Sequence, residues 1–199
     1  MIIPLIYSGL PASVIKNSKV LYQSKAQLEL EHRHFSEEKT KIQSYKLDYN
    51  NVVRSGDTET SWAAIGHSIS IYYNKKTSIR RITSGVKKTD DFRNEQSSGN
   101  TTISLRNALK LISNHSELMH KQLSPSHIKK EIQNNRPVCV RFQPEGSASG
   151  RFVVIYGFTQ NDDKLTLHIA DPWDGYHDVD YEYMPLHFKA NWTSTYLTA

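Results

Sequence analysis

Residues 52–64 read VVRSGDTETSWAA, and this stretch decides the fold. Its middle, residues 55–58, is a run of serine, glycine, aspartate and threonine, which is typical of a tight turn. From Trp62 to Tyr73 large apolar side chains recur at helical spacing, and Thr60 or Ser61 stands where a helix N-cap is expected. The sequence therefore predicts a turn that leads directly into a helix.

Beyond this helix the sequence pattern changes. Residues 83–101 are rich in glycine, serine, asparagine and charge, which predicts a loop. Two further helices are predicted, one over about 105–112 and one that begins at the Ser-Pro-Ser of 124–126. Short β-branched and aromatic runs then predict antiparallel strands at 137–142, 152–158 and 165–170. Helices first and strands second indicate an α+β fold, in which a helical lobe is followed by an antiparallel β-sheet lobe with a cleft between them.

Upstream of the opening stretch the pattern is weaker. Residues 1–50 predict an N-terminal arm and a first strand, beginning near residue 41, that pack on a domain formed by residues 51–199. The chain has 199 residues, which is about the length of one ordinary domain. We therefore expect a single compact unit.

Composition excludes several classes of protein. Lys and Arg number 25 against 20 Asp and Glu, and the basic pairs are scattered without a recognised binding module, so no nucleic acid is expected. The single cysteine, Cys139, excludes an internal disulfide and a cysteine-cluster zinc site. The nearest histidine pairs lack helical i, i+4 spacing, so neither a metal nor another cofactor is expected. No apolar run reaches the roughly 20 residues of a spanning helix, which predicts a soluble protein without a membrane span.

Four blocks of sequence, between about residues 50 and 176, resemble one family in order and spacing. They are the opening stretch with its end Ser61-Trp62-Ala63-Ala64, then Ile128–Ile132 with Asn135–Val138, then Gly150–Phe158, and finally Ile169–Gly175. The family is that of the papain-like cysteine proteases, especially the bacterial bacteriocin-processing-peptidase-like branch and related secreted effectors. In that family the first block ends in Cys-Trp-Ala-Ala, the third begins with Gly-His, and the fourth carries Asp-Pro. The resemblance implies a papain-like fold.

The resemblance also implies where the catalytic positions lie, and this sequence departs from three of them. The nucleophilic cysteine falls on Ser61, the general-base histidine on Arg151, and the oxyanion-hole glutamine on Ser55, whereas the orienting acid remains as Asp171. A serine hydroxyl needs a base to take its proton, and an arginine, with a pKa above about 12, cannot take it. We therefore expect Arg151 to form a bidentate ion pair with Asp171 that keeps two strands in register.

Several site residues admit more than one interpretation. Ser61 is a helix N-cap in the favoured interpretation, and otherwise a surviving nucleophile or the product of an inactivating Cys-to-Ser change. Trp62 is predicted either to contact a ligand or, in the favoured interpretation, to pack in the core. Together with Gly150 and Trp173, it is the predicted set of peptide-binding residues. Cys139 lies in an apolar run and is interpreted as a buried small residue.

These observations support three functions. The first is a catalytically inactive pseudo cysteine protease domain that binds a peptide or protein in the cleft between the lobes, in the role of a bacterial effector, a toxin-associated or a secretion-linked protein. The alternative is an active papain-like peptidase or acyltransferase that uses Ser61 with a base still to be identified. The third is an accessory domain of a larger toxin or secretion system. Residence in the bacterial cytoplasm and secretion into a host or competitor cell both stay open.

Overall fold

The computed structural model describes residues 42–50, 52–54, 60–94 and 101–199, without the side chains of Asp91 and Asn94. All of these residues belong to one compact unit. The predicted N-terminal arm and the turn that contains Ser55 lie outside the described residues, and both stay predictions.

The described residues form six helices. They are α1 (Ser61–Tyr72), α2 (Ile79–Val86), α3 (Asp90–Asn94), α4 (Thr102–Leu111), α5 (Pro125–Gln133) and α6 (Met184–Phe188). The helices predicted after the turn, around 105–112 and from 124–126 are confirmed as α1, α4 and α5. The first of these is buried over most of its length, and the last begins with Ser124 as N-cap and a proline in its first turn.

The loop predicted at residues 83–101 is wrong over its first half. The end of α2 and all of α3 lie there. The hydroxyl of Ser78 accepts a hydrogen bond from the backbone N–H of Arg81, which caps α2, and Ile82 and Val86 are buried on its inner side. Tertiary burial therefore outweighs the loop-like composition of this segment.

The seven strands form one sheet in which every pairing is antiparallel. They are β1 (Gln43–Lys46), β2 (Glu117–Met119), β3 (Val138–Gln143), β4 (Arg151–Asn161), β5 (Lys164–Asp171), β6 (Gly175–Asp180) and β7 (Asn191–Leu197). The order is β2-β7-β3-β4-β5-β6, and β1 also pairs with β4. The three predicted runs are confirmed as β3, β4 and β5, and the 3-10 turn Tyr181–Tyr183 joins β6 to α6.

Strand β4 organises the sheet. Its first half pairs with β3 and its second half with β1, while β5 occupies the opposite edge from Val154 onward. The register between β4 and β5 shifts between Ile155 and Gly157, which is a β-bulge at Tyr156. Because the two strands are antiparallel, the first residue of β4, Arg151, and the last of β5, Asp171, lie at the same end of the sheet.

The core joins the helices to the sheet. Helix α1 contacts α2, α4 and β4, and α5 contacts β1, β3 and β4. The largest fully buried side chains come from both parts, among them Trp62 and Leu105 from the helices and Phe152 and Tyr196 from the sheet. The α+β class predicted from the sequence is confirmed. Within the described ranges no helix combines the length and the apolar character needed to cross a membrane.

Candidate functional site

Ser61 is the first residue of α1, and its side chain is completely buried. The N-cap is its neighbour Thr60, whose carbonyl oxygen accepts hydrogen bonds from the N–H groups of Ala63 at 2.9 Å and Ala64 at 3.2 Å. The interpretation of Ser61 as the cap is therefore wrong by one residue. Its hydroxyl stands instead in the first helical turn, where the helix dipole favours negative charge.

Arg151 lies between two carboxylates. Its Nη2 atom is 2.7 Å from Oδ2 of Asp171, which is fully buried, and 2.5 Å from Oδ2 of Asp174, which is exposed. The expected ion pair of Arg151 with Asp171 is present, but the contacts differ from the bidentate pair that was predicted. One nitrogen contacts one oxygen of each acid, because the turn between β5 and β6 brings a second carboxylate to the same guanidinium.

Two aromatic rings pack against the same guanidinium. The Cζ atom of Arg151 lies 5.0 Å from the ring centroid of Trp173 and 5.4 Å from that of Phe188. The backbone N–H of Trp173 donates a hydrogen bond of 2.8 Å to Oδ1 of Asp171. Ion pairs and cation–π contacts therefore fix the arginine together with the turn that follows β5.

The two carboxylates of this cluster differ in their electrostatics. Burial raises the pKa of Asp171, and the Trp173 N–H and Arg151 oppose that effect without cancelling it. The hydrogen bond from Arg151 lowers the pKa of Asp174. A single guanidinium therefore serves two acids, and the exposed one loses its proton more readily.

Two histidines next to the cluster were not found by sequence reasoning. The rings of His177 in β6 and His187 in α6 lie 5.6 Å apart. Burial lowers the pKa of His187, and the nearby His177 and Arg151 lower it further. Neither β6 nor α6 was predicted, so no periodicity in the sequence could bring these two rings together.

The predicted peptide-binding residues lie in different environments. The indole of Trp62 is only 1% exposed and packs against the ring of Phe92, as the packing interpretation expects. Gly150 is buried too, and a Cβ atom there would lie 2.7 Å from Nε of Arg141. Trp173 alone of the three has a well-exposed side chain, at 37%. The role of all three in binding stays a prediction.

In the described ranges Cys139 and the histidines form no metal centre. Cys139 is fully buried in β3, as expected, and burial raises the pKa of its thiol far above the ordinary value. Across the part of the chain that the structure describes, no group of three or more His, Cys, Asp or Glu side chains is placed to hold a metal ion.

A protein-family model matches most of the chain. The model of the family described as papain-like cysteine protease AvrRpt2 matches residues 41–182, which is more than half of the chain. The chain belongs to this family. The match spans β1 to the 3-10 turn after β6, and so includes Ser61, Arg151 and Asp171. A comparison with curated proteins found no match.

Solved peptidase structures are similar to this chain in fold. The peptidase domain of Streptococcus ComA, a bifunctional ABC transporter involved in a quorum-sensing pathway, is 20% identical with a TM-score of 0.50, over 77% of this chain and 98% of that domain. A C39-like peptidase from Bacillus anthracis is 11% identical with a TM-score of 0.53, over 78% of this chain and 98% of that one. At these identities the likeness concerns the fold, and it confirms the papain-like architecture that the sequence predicted.

Proposed function

We propose that this member of the AvrRpt2 family lacks peptidase activity and binds a peptide or protein. The observation that carries the proposal is the pair of carboxylate contacts that Arg151 makes. At the position where the resemblance expects the general-base histidine stands a guanidinium, paired with Asp171 at 2.7 Å and with Asp174 at 2.5 Å. An arginine stays protonated at any pH at which the protein is folded, so it cannot take a proton from a nucleophile.

The other departures add to this loss. Ser61 replaces a thiol by a hydroxyl that ionises far less readily, and Ser55 replaces the amide that would stabilise an oxyanion. Removal of a triad nucleophile or base lowers the rate by about a millionfold, and the residual rate depends in part on the oxyanion hole. A domain that departs at all three positions has no efficient route to peptide-bond cleavage.

Binding is supported by the surface that the same cluster builds. Arg151 and Asp171 hold Trp173 from its ring and from its backbone N–H, and the indole is still 37% exposed. Rigid, exposed aromatic side chains are frequent anchors of protein interfaces. An extended peptide that pairs with a strand edge would meet this anchor beside the start of β6. In this proposal the ion pair that excludes a base also orders the binding surface, and a role as a bacterial effector, toxin-associated or secretion-linked protein fits the family.

An array of unrelated peptides tests both halves of the proposal. Wild-type protein is incubated with the array, bound peptides are identified, and each is then analysed by mass spectrometry for cleavage. We expect a subset to bind and to remain intact. Replacement of the anchor in Trp173→Ala should weaken binding by about tenfold or more, whereas Tyr183→Ala, which removes an even more exposed aromatic side chain outside the cluster, should not. Cleavage that stops in Ser61→Ala, or no binding at all, would overturn the proposal.

One observation favours the alternative of an active peptidase or acyltransferase that uses Ser61. Burial lowers the pKa of His187, which favours the neutral ring, and the ring also interacts electrostatically with Asp171 and Asp174. A neutral imidazole next to carboxylates is the group that such an enzyme would need as its base. Cleavage lost in both Ser61→Ala and His187→Gln would establish this alternative.

A further inference from the structure

Four polar side chains form a chain of hydrogen bonds across β1, β4, β5 and β6, apart from the cluster at Arg151. The Oγ atom of Ser44 lies 3.0 Å from Oγ1 of Thr159, which lies 3.1 Å from Nε2 of His168. The Nδ1 atom of the same imidazole is 2.5 Å from Oδ1 of Asp178. Strand pairing sets Ser44 opposite Thr159 and His168 opposite Asp178. Hydroxyl, imidazole and carboxylate therefore follow one another in direct contact.

The carboxylate decides which nitrogen of the ring carries the proton. An ionised carboxylate only accepts hydrogen bonds, so Nδ1 of His168 must donate to Asp178. In the neutral ring Nε2 then has its lone pair free to accept the proton of the Thr159 hydroxyl. A hydroxyl held by a base, with that base oriented by an acid, is the arrangement that activates an oxygen nucleophile.

We propose that Thr159, His168 and Asp178 form a second reactive site, which takes acyl groups from small esters or thioesters. Thr159 is the nucleophile, His168 the general base, and Asp178 the residue that positions the imidazole. The proposal stands independently of the function proposed for the Arg151 cluster.

The backbone is built to seat the imidazole. A Cβ atom on residue 157 would lie 2.8 Å from Cδ2 of His168, so the glycine there makes room for the ring. The β-bulge at Tyr156 stands next to this glycine, and the Tyr156 ring lies 6.1 Å from the imidazole. His168 is only 8% exposed. A base held in one orientation loses little freedom when the reaction begins.

A cation lies on the same strand and the same face as Ser44. Lys46 follows Ser44 by two residues in β1, so both side chains leave the same face of the sheet. Its Nζ atom lies 5.2 Å from the ring centroid of Tyr156. An ammonium group at this place would stabilise the negative charge that develops on a carbonyl oxygen under attack. Acyl transfer uses a nucleophile, a base and such a cation together.

The proposed step conserves atoms and charge. The Thr159 oxygen forms a bond to the acyl carbon while its proton passes to Nε2 of His168. The bond from the acyl carbon to the alcohol oxygen or thiol sulfur then breaks, and the leaving group takes the proton from Nε2. Water attacks the resulting threonyl ester through the same base and releases the acid, so the site needs no further reactant.

Acetylation by p-nitrophenyl acetate tests the proposal on the intact protein. We expect mass spectrometry to find one acetyl group on Thr159. Its rate of appearance should fall by about 100-fold or more in His168→Gln, since general-base catalysis contributes that much. Thr166→Val is the matched control, because Thr166 lies in β5 directly opposite Thr159 but donates its hydroxyl to Asp180 at 3.0 Å, without an imidazole.

The variants also separate reactivity from folding. Asp178→Asn changes an exposed carboxylate, so it tests the proposed base if His168→Gln does not fold. It should likewise slow acetylation by about 100-fold. Equal acetylation rates in wild type and these variants would show that the chain of hydrogen bonds is only a structural contact between strands. Acetyl groups on Ser44, on Ser61 or on lysines alone would also overturn the assignment of Thr159.

Discussion

Replacement of Asp171 by alanine should destabilise the protein more than any change at the other carboxylate of the cluster. Asp171 is fully buried, contacts Nη2 of Arg151 at 2.7 Å and accepts the backbone N–H of Trp173 at 2.8 Å. Asp171→Ala leaves that N–H without its acceptor and removes the inner acid from the guanidinium. Asp174 remains to neutralise Arg151, so the arginine keeps one partner.

These contacts set the size of the effect. Breaking a buried ion pair by removal of one partner costs about 3–5 kcal/mol, and the remaining Asp174 places this case at the lower end, at about 3 kcal/mol. A domain of this size loses about 2–4 °C in Tm per kcal/mol, so the expected decrease is about 6–12 °C. Asp171→Asn keeps an oxygen for the Trp173 N–H and should cost less, about 1 kcal/mol.

Thermal unfolding followed by circular dichroism measures these differences at pH 7. Asp174→Ala is the matched control, because it removes the exposed acid from the same arginine and should change stability by less than about 1 kcal/mol. An unchanged Tm in Asp171→Ala, with native far-UV and near-UV spectra, would refute the argument. So would an Asp174→Ala variant that is destabilised as much.

Three further outcomes follow from particular contacts. Burial raises the pKa of Asp171 above its ordinary 3.8, so the native state holds the carboxyl proton more tightly than the unfolded state does. The stability of wild type relative to Asp171→Asn should therefore fall as pH rises from about 3.8 through the raised pKa. Urea unfolding at several pH values measures this difference, and an opposite slope would contradict it. Gly150→Ala places a Cβ atom 2.7 Å from Nε of Arg141 and should cost about 1–3 kcal/mol, which an unchanged urea midpoint would disprove. Glu131→Gln weakens the two hydrogen bonds, of 2.7 and 2.9 Å, that Arg136 donates to this buried carboxylate. It should lower the urea midpoint by an amount that corresponds to about 1–3 kcal/mol. Equal midpoints would show that the carboxylate has no stabilising role.

The sequence predicted those elements whose apolar pattern is strong. Strands β3 and β4 carry nearly continuous apolar runs, β5 alternates Leu165, Leu167 and Ile169 with polar residues, and α1, α4 and α5 combine a start signal with an apolar side. The edge strands β2 and β6 were missed, since a strand with one exposed edge and mixed polarity carries a weak signal. The inner strand β7 was missed as well, because its sequence NWTSTYL is largely polar although most of its residues are buried. Helix α3 was missed because its composition is that of a loop.

The candidate site was predictable only where it follows from the order of residues. Arg151 and Asp171 were predicted as partners from their places in the family pattern, and they are in contact. The contribution of Asp174, Phe188 and His187 depends on the turn after β5 and on α6, which fold onto the site from outside the predicted strands. Local pattern contains no information on such tertiary contacts, so the single-nitrogen geometry of the arginine could not be foreseen.

A count of newly generated peptide termini tests the central claim most directly. Wild-type protein and Ser61→Ala are incubated in parallel with a whole-cell proteome, and termini are counted by mass spectrometry. Because Arg151 is fixed between two carboxylates and cannot act as a base, the account predicts indistinguishable profiles for the two proteins. Termini that appear with wild type and disappear with Ser61→Ala would contradict it and would identify the chain as a working hydrolase.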